Sequence, residues 1–170
     1  MKLGGEVGHK KFKKHLMASK KAVDIVAAQF RQSGYEVSVP VTKVAPNYSN
    51  WEEYADDGDL FVTLRDSKVI RVEVKGLRYK FTCRADWPFA HGNTVVCARH
   101  AWDRAKQKPS MFILTNGAMD HVAIVKASTE KYWFKKVLGD PRYGSEYKQE
   151  FYMVSTDKAV FRRMKELCQK

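Results

Sequence analysis

At 170 residues the chain is expected to form a single domain, long enough to bury a core without disulfide or metal staples. Its 31 lysines and arginines against 19 acids give a formal charge of +12 and a pI near 9.6, which points to a polyanionic partner, nucleic acid before anionic membrane. No apolar run could span a bilayer, and no apolar signal core follows Lys2-Leu3, so an intracellular, cytoplasmic protein without membrane contact is expected. Cys83, Cys97 and Cys168 are odd in number and lack framework spacing, which suits reduced thiols.

Residues 1–13 read as a Gly- and Lys-rich arm. Lys10, Lys11, Lys13 and Lys14 are placed to neutralise phosphates, or simply to solvate a helix start. From Lys14 to Ser33, Leu16, Val23, Val26, Ala27 and Phe30 recur at helical spacing, and Gly34 stops the helix. Asp24 lies beside that apolar stripe. Tyr35–Val41 reads as a first strand, held to an edge by Pro40. Residues 44–55 read as a loop or short turn whose Tyr48, Trp51 and Tyr54 suit stacking on bases or plugging the end of the core.

The next stretch organises the chain. Leu60–Arg65 and Val69–Lys75 read as two strands joined by a turn at Asp66-Ser67-Lys68. A three-residue turn there sets Leu64 against Ile70, Val62 against Val72 and Leu60 against Val74, all on one face. The other face then carries Asp59 across from Lys75 and diagonal to Glu73. Asp59, Glu73 and the main-chain carbonyl of Val74 are oxygen donors of the kind Mg²⁺ takes, with positions left for water and a phosphate. Such an ion acidifies its water and offsets charge growing on a phosphodiester. Lys75, on the same side of the strand as Glu73, could orient that water or stabilise pentavalent phosphorus. Charges on the wet face of a surface hairpin are the plainer alternative.

Beyond Gly76, Arg78, Lys80 and Arg84 leave this site in a basic, aromatic segment with turn signals at Pro88, Gly92 and Asn93. Val95–Lys108 reads as a helix carrying Arg99, Arg104, Lys106 and Lys108, ended by Pro109. Met111–Thr115 and His121–Lys126 read as strands around an Asn116-Gly117 turn. The tail reads as a helix at Ser128–Leu138, a loop at Gly139–Tyr147, a strand at Phe151–Val154 and a final basic helix at Thr156–Lys170. A structural zinc on Cys83, His91, Cys97 and His100 competes for attention, although only Cys97 and His100 have ligand-like spacing.

Gly58-Asp59, thirteen intervening residues and Glu73-Val74-Lys75 together resemble the PD-(D/E)xK nuclease superfamily, with Gly58 where the motif's name has proline. That superfamily includes restriction enzymes, Holliday-junction resolvases, and phage, homing and repair nucleases. The resemblance implies an α/β fold: a mixed β-sheet flanked by helices in a restriction-endonuclease-like α-β-β-β-α-β core over residues 14–125. An α/β extension would fill residues 126–170. It implies catalysis by Asp59, Glu73 and Lys75, with Asp24 as the helix acid (Glu6 its rival), and a polar helix residue, Gln107 or Lys106, near the phosphate. The activity implied is Mg²⁺-dependent cleavage of duplex or branched DNA, with Mn²⁺ able to substitute. Lys10, Lys11, Lys13, Lys14, Arg78, Lys80, Arg84, Arg104, Lys106 and Gln107 would contact the DNA. Cutting both strands takes two sites, hence an expected homodimer, and the small size is compatible with a phage or mobile-element origin. The rivals are a non-catalytic DNA-binding protein on the same fold and a nuclease for RNA or single strands.

Overall fold

The computed structural model describes residues 19–41, 59–140 and 144–169. Glu6, the four arm lysines, the aromatic residues Tyr48, Trp51 and Tyr54, and the residues Asp56 to Gly58 lie outside them. The first helix, α1 (residues 19–32), buries Ala22, Val23, Val26, Ala27 and Phe30, one stripe of an amphipathic helix. It stops at Gly34, whose φ of +85° is open to glycine, with Tyr35 N–H closing on the Phe30 carbonyl at 3.1 Å. Strand β1 (Glu36–Ser38) follows and is shorter than the expected Tyr35–Val41.

Strands β2 (Leu60–Thr63) and β3 (Val69–Gly76) come next. Then follow β4 (Asn93–Ala98), the short helix α2 (Arg99–Arg104), β5 (Met111–Thr115) and β6 (His121–Lys126). Last are β7 (Phe134–Asp140), β8 (Gly144–Ser155) and β9 (Ala159–Arg163). A six-stranded sheet runs in the order β1-β2-β3-β5-β6-β9, and a three-stranded one in the order β4-β8-β7. Every pairing is antiparallel except β3–β5. A parallel pair needs a long crossover. Residues 77–110 supply it, and β4 and α2 lie within them. The α-β-β-β-α-β order therefore survives with β4 interpolated before α2.

Alternation along the strands gives the large sheet two different faces. On one, Leu60, Val62, Ile70, Val72, Val74, Ile113, Val122 and Ile124 pack under α1, closed by Met164 and Leu167. On the other, Phe112, Leu114, Ala123 and Val125 pack under Val96 and Val154 of the small sheet and Trp102 of α2. Among the described residues, β1, β2 and β3 give no side chain to this second cluster. Arg71, Glu73 and Lys75 of β3 therefore border it, and the edge of a two-sheet core is where the polar side chains of β3 collect.

Three expected helices fail for a common reason. Residues 95–108 become β4 plus α2, because the β-branched run Thr94-Val95-Val96 lies in a strand whose Thr94, Val95 and Cys97 pair with β8. A register shift between Val95 and Cys97 then lets the adjacent Val96 and Cys97 both be buried. Ser128–Leu138 becomes a 3₁₀ turn (Ala127–Tyr132) and β7, paired along β8. The expected loop at Gly139–Tyr147 falls partly in that hairpin, and the strand at Phe151–Val154 extends to all of β8. In place of the final helix, 3₁₀ turns flank β9, which pairs with the otherwise bare edge of β6. The extension beyond residue 126 is thus built from strands and 3₁₀ turns and is not α/β.

Asn116 holds the β5–β6 turn. Buried, it donates from Nδ2 to the Phe81 carbonyl (3.0 Å) and to Asp120 Oδ1 (2.8 Å), while its Oδ1 accepts from Asp120 N–H at 3.1 Å. Asn116→Ala strands the Phe81 carbonyl and should cost about 1–3 kcal/mol, read as a lowered urea midpoint at unchanged m-value.

Candidate functional site

The β2–β3 hairpin sets the site. Its register is Leu60↔Val72, Phe61↔Arg71, Val62↔Ile70 and Thr63↔Val69, displaced by two residues from the expected pairing. The three-residue loop is Arg65-Asp66-Ser67 instead of Asp66-Ser67-Lys68. Ser67 takes φ +65°, its N–H reaches the Leu64 carbonyl at 2.9 Å, and Leu64 N–H closes on the Lys68 carbonyl at 2.8 Å. Asp66 Oδ1 accepts from Lys68 N–H at 3.1 Å. A type I turn followed by a left-handed residue is a favoured three-residue hairpin loop, and the Asp66 side chain supports it. Because the shift is even, every apolar side chain keeps its face. What changes is the level of Asp59: one step beyond Leu60↔Val72, it stands level with Glu73 and not across from Lys75.

Asp59 Oδ2 accepts the Val74 N–H at 2.6 Å, which fixes its carboxylate against the β3 main chain between Glu73 and Lys75. In a strand paired antiparallel with its neighbour, a residue's N–H and C=O leave on the same edge, so the Val74 carbonyl is directed to the Asp59 side. It lies past the last described rung at Val72. Glu73 Oε1 accepts from Arg71 Nη2, and Arg71 Nη1 reaches the Gln107 carbonyl at 3.0 Å. Lys75 Nζ donates to the Val96 carbonyl of β4 and stands 5.9 Å from the centre of the Phe112 ring. The Glu73 side chain is 23% exposed and that of Arg71 13%. One hairpin end thus holds two carboxylates, two cations and a main-chain carbonyl.

Two carboxylates and a carbonyl form an all-oxygen donor set, the chemistry that fits a hard ion retaining several waters. Among the described residues no three His, Cys, Asp or Glu side chains converge. Asp24 is exposed on α1, which packs on the opposite face of the sheet from Glu73, so it stands apart from the pair. The helix passes close to the end of β3: a Cβ on Gly76 would lie 3.3 Å from that of Ala22. The zinc arrangement does not form either. Cys83, His91 and His100 are exposed and apart, and burial pushes the Cys97 thiol up to about 11.

Arg78, Lys80 and Arg84 are exposed on an ordered ledge. Gly117 N–H holds the Tyr79 carbonyl at 2.8 Å, and Phe81 and Trp87 stack edge to face at 4.9 Å between centroids. The Asp86 carboxylate accepts Thr82 N–H (2.9 Å), Thr82 Oγ1 (2.8 Å) and Cys83 N–H (2.8 Å), which hold it far below the usual carboxylate range. Arg104, Lys106 and Gln107 are exposed at the end of α2 and just after it, not along one long helix. The sequence reading missed Arg71. Its signal was present in Arg71-Val72-Glu73-Val74-Lys75, where all three charged residues alternate onto one face.

No family model matches the chain, and no curated protein matches it. Among solved structures the chain is similar to the bacterial homing endonuclease I-Ssp6803I, at 15% identity and a TM-score of 0.41, over 82% of this chain and 75% of that one. So loose a likeness assigns neither a site nor an activity.

Proposed function

We propose that the chain is a divalent-cation-dependent DNA endonuclease with its site at the open end of the β2–β3 hairpin. The observation that carries this reading is the 2.6 Å bond from Val74 N–H to Asp59 Oδ2, which locks one carboxylate beside the Glu73-Val74-Lys75 strand. Asp59, Glu73 and the Val74 carbonyl would hold Mg²⁺ or Mn²⁺, which supplies an acidified water and neutralises charge on the phosphate. Lys75, steadied by the Val96 carbonyl and the Phe112 ring, aims an ammonium at the attacking water or at charge developing on phosphorus. Arg78, Lys80 and Arg84 on the ledge, and Arg104, Lys106 and Gln107 beside α2, track the backbone; the arm lysines Lys10, Lys11, Lys13 and Lys14 add to them. Double-strand cleavage calls for a homodimer. No helix among the described residues is long and apolar enough to cross a membrane.

One observation favours a second reading, a non-catalytic DNA-binding protein: both acids already have structural partners, the Val74 N–H and Arg71. Supercoiled plasmid separates the two. Nicked or linear product in Mg²⁺, stopped by chelator, is the expected result, and none at any cation concentration would leave the binding protein. Lys75→Met should slow cleavage by roughly 10²–10³-fold, as loss of one transition-state donor does, while calorimetric Ca²⁺ affinity holds. A collapse of that affinity would assign Lys75 to cation binding instead.

A further inference from the structure

Arg71 has no part in the chemistry above, yet it is the residue most firmly tied to Glu73. Its Nη1 is bound by the Gln107 carbonyl at 3.0 Å and its main-chain carbonyl by Ser110 N–H at 2.8 Å, so the segment after α2 clamps it from both sides. Its Nη2 is spent on Glu73 Oε1, and its Nε is buried without a partner. Nε and Nη2 form the side-on fork with which a guanidinium grips a carboxylate or phosphate bidentately. Here that fork is half used.

The charges define what this does. Asp59 and Glu73 are balanced by Arg71 and Lys75, so the four side chains sum to zero before any cation arrives. A divalent ion that takes Glu73 leaves the guanidinium, 13% exposed, without its counter-charge. A backbone phosphate entering beside the ion gives the guanidinium a counter-charge again, and it can fill both arms of the fork.

We infer that Arg71 makes cation loading of the site conditional on nucleic acid, holding Glu73 until a backbone phosphate replaces that carboxylate on its Nε–Nη2 edge. This rests on the assignment of Asp59 and Glu73 as the cation-binding pair. It makes Arg71 a positioning and regulatory residue.

The experiment is calorimetry with Ca²⁺, which binds without cleavage, for wild type, Arg71→Met, Arg71→Lys and Glu73→Gln, each alone and with a saturating short duplex. The Glu73→Gln titration subtracts the ions held by the duplex itself. Wild type should bind weakly alone and gain affinity with duplex. An opposite charge within about 4–6 Å lowers a carboxylate's affinity for a proton by about 1–3 decades, and for another cation in the same sense, so Arg71→Met should tighten duplex-free Ca²⁺ binding by at least about tenfold. It should also abolish the gain from duplex. Arg71→Lys, which keeps the charge without the fork, should bind Ca²⁺ as weakly as wild type alone and gain less from duplex. Unchanged or weaker Ca²⁺ binding by Arg71→Met, or a full duplex gain in Arg71→Lys, overturns the inference and leaves the site standing. Ca²⁺ binding that Glu73→Gln does not reduce overturns the site assignment, and the inference with it.

Discussion

Glu73→Gln and Asp59→Asn should each abolish Mg²⁺-dependent plasmid cleavage, by at least about 10²–10³-fold, the loss seen when one group stabilising a transition state is removed. Each change deletes one of the two carboxylates that the described residues place beside the Val74 carbonyl, and an amide oxygen does not replace the charge. The two variants should differ in stability. In Asp59→Asn the amide keeps an oxygen for the Val74 N–H that Asp59 Oδ2 now accepts at 2.6 Å, so this variant should melt close to wild type. Glu73→Gln leaves the guanidinium of Arg71 without its counter-charge and should melt lower. Initial nicking rates and circular-dichroism melts measure both effects. Undiminished cleavage by either variant would remove that residue from the site, whatever its stability.

The face that carries the candidate site was legible because its apolar background was. Leu60, Val62, Ile70, Val72 and Val74 alternate so regularly that the polar set of β3 had one face available, and the structure keeps it there. Alternation cannot count, however. A slip of two residues preserves every face, and the choice fell to the turn, where a left-handed Ser67 and the Asp66–Lys68 bond set the loop one residue earlier. For Arg71 the alternation gave the face but not the partners: Gln107 and Ser110, which hold it, are thirty-odd residues away in sequence and brought to it by the parallel β3–β5 crossover.

The misread helices share that origin. Tyr132-Trp133-Phe134-Lys135-Lys136-Val137-Leu138 has apolar residues that fit a helical stripe, but Phe134, Lys135 and Lys136 lie opposite Met153, Tyr152 and Phe151 of β8. The second sheet decides in favour of strand, and nothing within seven residues reveals a second sheet.

Duplex affinity should fall by about a thousandfold between 50 and 200 mM salt if about six phosphates are neutralised, a slope of log K on log salt near −5. Exposure and backbone support favour one of the proposed contact groups. Arg78, Lys80 and Arg84 stand exposed on a ledge pinned by Asn116, Asp86 and the Phe81–Trp87 pair, so their positive charge is presented by an ordered backbone next to the end of β3. Replacing the three by alanine should flatten the slope by up to about 2.7, and replacing Lys10, Lys11, Lys13 and Lys14 by up to about 3.6, if every one touches phosphate. Asp59→Asn should leave the slope where it is when binding is read in chelator, because it alters the proposed cation pair and not the proposed backbone contacts. Fluorescence anisotropy over a salt series gives all the slopes. A flat wild-type line would mean that the charge of +12 serves no phosphate-tracking surface. A steep line that the ledge variant leaves unchanged would move the contacts to the arm or to Arg104 and Lys106, whereas one flattened by the ledge variant alone would place the backbone directly over the exit from Glu73-Val74-Lys75.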